Sequence, residues 1–210
     1  MRIVFLGPPG SGKGTQAQIL AQKLKIPQIS SGDLLREAVS HNTPTGRKAK
    51  TYMEKGELVP DTLVIDLVEE RIKNEDEFIL DGFPRNVNQA ENLDKVLSNL
   101  DMPLDSVIYV DVPLEKLIER LSGRLTCDRC NAIYHSTYNP PKKEGICACG
   151  GELFQRSDDT KAAITQRFET YTEQTEPLIE YYRKRKLLTP IDGTRNIDEI
   201  AASVEEKIAH

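Results

Sequence analysis

Arg2-Ile3-Val4-Phe5-Leu6-Gly7-Pro8-Pro9-Gly10-Ser11-Gly12-Lys13-Gly14-Thr15 is the stretch on which the fold turns. A short apolar, β-prone run passes into a Gly-rich turn. Gln16 to Leu24 follows, and its apolar positions 17, 20, 21 and 24 recur at helical spacing. Strand, loop and helix in that order are the setting in which G-x-x-x-x-G-K cradles phosphate. The glycines permit a tight turn, backbone N–H groups face the oxygens, the helix N-terminus adds partial positive charge, and Lys13 reaches the β and γ oxygens. A nucleoside triphosphate site formed by Gly10, Ser11, Gly12, Lys13, Gly14 and Thr15 is therefore predicted. Gly14 stands directly after the lysine, where Ser or Thr is usual, so the hydroxyl on the magnesium side must come from Thr15.

Outward from this loop, further β-like runs occur at Pro27 to Ser30, Phe78 to Leu80, Val107 to Val112 and Leu188 to Ile191, with intervals long enough for helical crossovers. This alternation predicts an α/β, three-layer P-loop fold with a parallel five-stranded sheet. A chain of 210 residues supports one such core with appendages rather than two full domains. Two regions interrupt the alternation and read as insertions able to move as covers. Residues 31–59 are polar and helix-forming, broken at Asn42 to Gly46, and residues 125–155 hold all four cysteines, Pro140-Pro141 and Gly150-Gly151. A hydrophobic share of 38% with 29% charged residues excludes a disordered or fibrous chain. No apolar run reaches membrane-spanning length and the N-terminal one is too short for a signal peptide, so a cytoplasmic location is expected. A net charge of −5 argues against nucleic-acid or anionic-membrane partners.

A second ligand is expected beside the first. Ser30 to Arg36 follows the second predicted strand and Asp81-Gly82-Phe83-Pro84-Arg85 follows the third. Ligands of open parallel sheets bind outside the carboxyl ends of the strands, where Arg36 and Arg85 could hold an acceptor phosphate with their planar forks. Asp81, ending an apolar strand, has the character of a carboxylate that organises the water shell of Mg²⁺. The histidines at 41, 135 and 210 fall in predicted loops or at the terminus and suggest no catalytic role. Arg47, Arg71, Arg120 and Arg129 read as solvated-face residues.

Taken together, Gly7 to Thr15, Gln28 to Arg36, Gly56 to Val59, Asp81 to Arg85 with Gln89, Gly123-Arg124, Tyr134 with Asn139-Pro140-Pro141, Arg156 to Asp159, and Asp192-Gly193-Thr194 resemble the adenylate kinase family in its long-lid bacterial form, over essentially the whole chain. The resemblance implies MgATP + AMP ⇌ 2 ADP, and a monomer is expected. It implies a core of residues 1–30, 60–122 and 161–210, an AMP-binding insertion at 31–59 and a lid at 123–160. Lys13, Arg85, Arg124, Arg156 and Arg167 would be catalytic. ATP would meet the loop residues with Arg124, Ile133, Tyr134 and Arg195. AMP would meet Ser31, Gly32, Arg36, Glu57, Leu58, Val59, Gly82, Arg85, Gln89, Arg156 and Arg167. Asp33 would join Asp81 in the magnesium shell, and Asp158 and Asp159 would orient the lid. Ser31 replaces the Thr more often found there and keeps its hydroxyl.

Cys127-Asp128-Arg129-Cys130 has the C-x₂-C spacing that lets two thiolates share a tetrahedral ion, and Cys147 and Cys149 could supply two more. Similar kinases carry a structural zinc here with two residues between the last ligands. This chain has only Ala148, which leaves His135 or Asp128 open as a substitute fourth ligand. Free thiols, disulfides and a nucleic-acid-binding ribbon are the alternatives. As a whole, a UMP or CMP kinase, an ATPase using water and a non-catalytic zinc module are the competing functions.

Overall fold

The computed structural model describes residues 1–208. Its centre is a parallel sheet of β1 (Arg2–Leu6), β2 (Gln28–Ser30), β3 (Phe78–Asp81), β4 (Ser106–Asp111) and β8 (Leu188–Asp192), ordered β2-β3-β1-β4-β8. β1, β3 and β4 fall on apolar β-prone runs, and β8 carries Pro190, which its edge position tolerates. Alternate side chains of β1 serve opposite faces: Val4 and Leu6 join one buried cluster, Ile3 and Phe5 the other. Helices α4 (Asp61–Ile72), α5 (Val87–Asn99) and α8 (Pro177–Lys184) cover the first face, contributing Val68, Leu93 and Tyr182. Helices α1 (Lys13–Leu24), α6 (Leu114–Ser122) and α9 (Ile197–Ile208) cover the second with Leu20, Leu117 and Val204. The three layers match the sequence expectation.

Residues 31–59 fold as α2 (Ser31–Ser40) and α3 (Pro44–Lys55). The Ser30 and Thr43 side chains accept backbone N–H groups at the two N-termini, and Pro44 occupies the first helical turn, where its missing N–H is harmless. A Cβ at Gly46 would lie 2.0 Å from the Ala38 carbonyl oxygen, so this glycine lets α2 and α3 close on one another.

The second insertion is a small antiparallel sheet, β5 (Arg124–Cys127), β6 (Ile133–His135) and β7 (Leu153–Phe154), ordered β6-β5-β7. Its strands are too short for periodicity to reveal. His135 stands in β6, not in a loop as its surroundings suggest, while His41 caps the end of α2 and His210 lies outside the described residues. After a 3₁₀ turn at Ser157–Asp159, α7 (Lys161–Thr170) runs into a π-helical turn at Tyr171–Thr175 and on into α8. Ile164, Phe168 and Tyr171 have helical spacing, yet the helix widens at Tyr171. Among the described residues no helix is long and apolar enough to cross a membrane.

Candidate active site

The carboxyl ends of β1, β2 and β3 open into one cavity of about 1270 Å³. Gly10 to Thr15 line it on one side, and Ser31, Gly32, Asp33, Arg36, Glu57, Leu58, Val59, Gly82, Arg85 and Gln89 on the other. Arg124, Ile133, Tyr134, Arg156, Asp158, Arg167 and Arg195 complete the wall. A single drug-sized ligand fills roughly 300–1,000 Å³. The cavity thus exceeds what one such ligand needs.

Gly14 has a steric reason. A Cβ there would sit 2.9 Å from Asp81 Oδ2, so the missing side chain lets the β3 carboxylate reach the first turn of α1. The same added methyl would lie 3.6 Å from Ile133 Cδ1, which places β6 over the phosphate loop. Gly82 is held at φ 72°, and its carbonyl accepts both Ser31 Oγ (2.6 Å) and Arg85 Nε (2.7 Å), tying the loops after β2 and β3 together. Left-handed backbone at this crowded turn suits glycine.

The arginines are anchored from behind by carboxylates and carbonyls. Asp159, fully buried, accepts Arg124 Nε at 2.7 Å and Arg167 Nη1 at 2.9 Å, and Asp158 pairs with Arg167 at 3.1 Å. Arg156 Nε donates to Thr126 Oγ1 at 2.9 Å, and Arg36 pairs with Asp33 while its Nε is buried without a partner. Lys13 Nζ donates to the Pro8 carbonyl at 3.3 Å. Crowding of like charge away from water shows in the proton affinities. Burial, offset in part by Asp81, lowers the Lys13 ammonium to about 8; burial and the neighbouring Arg167 lower Arg85 to about 10; burial and Arg36 lower Arg156 to about 10. Burial also raises Asp81, and nearby Asp33 adds to the rise. For Asp158, burial works upward but the pull of Arg167, Arg124, Arg36 and Arg156 outweighs it and the carboxyl titrates low. Such a cluster gains from any polyanion that enters it.

Two contributors escape the sequence reading. Arg120, expected on a solvated face, lines the cavity and donates to the Ser11 carbonyl (3.3 Å) and the Gly193 carbonyl (2.9 Å). Its place on α6 beside buried Leu121 hides it, because no periodic pattern marks a flank residue that folds back over a loop. Asp61 opens α4 and accepts amides from Asn86 (2.8 Å), Asn88 (2.6 Å) and Gln89 (2.7 Å). Burial raises its carboxyl, but the three donors outweigh that and hold it low. Gln89 uses one amide proton on Asp61 and one oxygen lone pair on the Arg85 N–H (2.8 Å), leaving a donor and an acceptor position toward the cavity.

The four cysteines converge: their sulfurs all lie within 4.8 Å of one another, with Cys127–Cys149 and Cys130–Cys147 at 3.5 Å. Four thiolates around a zinc at ~2.3 Å would stand roughly 3.8 Å apart, so the set fits a tetrahedral ion. Cys149 stands within this cluster despite the shortened spacing. His135 is turned elsewhere, its Nδ1 accepting Thr137 N (2.9 Å) and Tyr138 N (3.1 Å). Asp128 Oδ1 accepts the Glu152 N–H (2.9 Å) and supports the loop without joining the sulfurs.

A three-layer sheet with a glycine-rich loop at the head of α1 and a basic cavity at its strand ends defines the P-loop class of nucleotide-binding proteins. Comparison narrows the class. The family model described as adenylate kinase matches residues 5–187. Curated adenylate kinases align over nearly full length: that of Thermodesulfovibrio yellowstonii is 56% identical, covering 97% of both chains. Those of Methanocella arvoryzae and Carboxydothermus hydrogenoformans are each 52% identical, covering 99% of this chain and 98% and 99% of theirs. The chain belongs to the adenylate kinase family.

Proposed function

We propose that the protein transfers the γ-phosphoryl group of MgATP to AMP, reversibly, giving two ADP. The observation carrying this reading is one cavity larger than a single nucleotide requires, with Lys13 and seven arginines, Arg36, Arg85, Arg120, Arg124, Arg156, Arg167 and Arg195, gathered in its wall. Phosphoryl transfer through a loose transition state asks for alignment and charge neutralisation more than for a general base. In this reading the Gly10–Thr15 loop and Lys13 take the ATP phosphates, with Arg120, Arg195, Ile133 and Tyr134 around the rest of that nucleotide. Arg36 and Arg85 take the AMP phosphate. Arg124 and Arg167, held in place by Asp158 and Asp159, and Arg156, held by Thr126, neutralise charge on the group in transit. Asp81, Asp33 and Thr15 offer the hard oxygen ligands and water partners that Mg²⁺ prefers. When bound, the ion would supply Lewis-acid withdrawal of negative charge from the phosphates.

Residues 31–59 serve in this scheme as the AMP cover and 123–160 as the ATP lid; the approach of Ile133 to the phosphate loop supports the second assignment. The Cys₄ set would hold a structural zinc, since four protein ligands leave no position for substrate. All groups come from one chain, so a monomer suffices, and a thiol cluster suited to metal fits the cytoplasm. The deciding experiment is ADP formation from ATP with AMP, UMP, CMP, GMP or no acceptor. AMP should be strongly preferred. Preference for a pyrimidine would replace the acceptor, and turnover without any acceptor would replace the reaction.

A further inference from the structure

The helical stretch that carries Arg167 also reaches the Arg85 loop through a feature outside the scheme above. At Tyr171–Thr175 it widens to a π turn, closed by Glu176 N donating to the Tyr171 carbonyl at 2.9 Å. In an α-helix, residues five apart point roughly 140° away from one another. An i→i+5 turn brings them nearly into line. Thr170 and Thr175 are five apart, and both hydroxyls find carbonyls of the acceptor side: Thr175 Oγ1 donates to Arg85 O at 2.7 Å, and Thr170 Oγ1 lies 3.5 Å from Gly56 O. Gly56, at φ 76°, is the C-cap of α3, and a Cβ there would lie 2.9 Å from the Ala163 carbonyl and 3.1 Å from Arg167 Cγ. Both threonines and Arg167 also line a small cavity behind the phosphate loop with Lys13 and Arg85.

We propose that Thr175 is a positioning residue for the acceptor nucleotide. It fixes the backbone at Arg85, and the π turn sets that loop in register with Arg167 on the preceding helix. Three hydrogen bonds then locate Arg85: its N–H on Gln89, its Nε on Gly82 and its carbonyl on Thr175. Only the last comes from the helix that carries a second arginine of the cavity. The inference rests on the reading of Arg85 as an AMP-phosphate ligand.

The test compares Thr175→Val, which keeps the shape and removes the hydroxyl, with Thr175→Ser, which restores it, and with Arg85→Ala, by steady-state kinetics and thermal unfolding of the full chain. Thr175→Val is expected to raise KM for AMP about fivefold to tenfold, lower kcat severalfold and leave KM for ATP within twofold. Thr175→Ser should return all three to within about twofold of the parent. An unchanged KM for AMP in Thr175→Val, with a raised one in Arg85→Ala, would overturn the positioning role alone. Equal rises in both KM values with a lowered unfolding midpoint would assign Thr175 to general stability and also overturn it. If Arg85→Ala leaves AMP kinetics untouched, the reading of Arg85 falls first and this inference with it.

Discussion

The parallel-sheet core and the small three-stranded sheet beside the cysteines are stabilised in opposite ways. Each strand of the core contributes side chains with almost no exposure to one of two apolar clusters, Ile3, Val4, Phe5, Phe78, Ile79, Leu80, Val107 and Ile108 among them. Between residues 123 and 160 the buried side chains are Thr126, Cys127, Cys147 and Asp159, while Phe154 is exposed. Two of these four are cysteines of the sulfur cluster and one anchors Arg124 and Arg167. This segment therefore has little apolar area with which to fold on its own, and a metal bound by the four cysteines would supply what hydrophobic burial supplies elsewhere.

The largest effect should separate function from stability within the core. Lys13→Ala is expected to lower kcat/KM for ATP by about 10²–10³-fold, the range for removing one preorganised donor from developing charge. The unfolding midpoint should stay the same or rise, because the ammonium sits in a desolvated, repulsive surrounding. Differential scanning fluorimetry beside a coupled ADP assay checks both; a large fall in midpoint would break the separation.

Next is removal of the cross-link. A strong chelator, or Cys147→Ser, should abolish bound metal and expose the lid to proteolysis near residues 137–150. It should also lower the midpoint by about 5–10 °C, the shift of a 2–4 kcal/mol loss at this chain length. Metal analysis and limited proteolysis read the result. Unaltered protease resistance after metal loss would mean the lid has another source of order.

Between these lies the pH dependence. Lys13 in the free protein titrates near 8, below the ordinary 10.5, and phosphates bind its charged form. Above about pH 8 ATP binding must take up a proton, so affinity should fall with rising pH by up to about tenfold per unit. Over the same window, from about 8 to 10.5, the unfolded chain holds the proton that the folded one has lost. The stability lost to this burial is therefore recovered as pH rises. Calorimetry in buffers of different ionisation enthalpy would detect the uptake; a flat affinity profile from pH 7 to 10 would show that Lys13 stays charged.

The smallest effect concerns a flaw in the core itself. Tyr182 is fully buried and its hydroxyl has no hydrogen-bond partner among the described residues. Tyr182→Phe should stabilise by about 1 kcal/mol, or 2–4 °C, with unchanged kinetics. A loss of stability would show that the hydroxyl is satisfied in solution.

Much of this molecule is written in local patterns. Apolar β-prone runs separated by helical spacing settle the layered sheet, because burial on both faces demands them. Glycines before Lys13 settle the phosphate loop, since few residues allow that turn. Cysteine spacing indicates a metal, though it left the fourth ligand open. Tertiary structure alone decided that Cys149 closes the set, that Gly14 makes way for Asp81, that Arg120 folds back over the loop, that Asp61 gathers three amides, and that a π turn aims Thr175 at Arg85. Each of these depends on side chains from elements distant along the chain meeting in space, and no periodicity within one element can encode where its neighbour's atoms will lie.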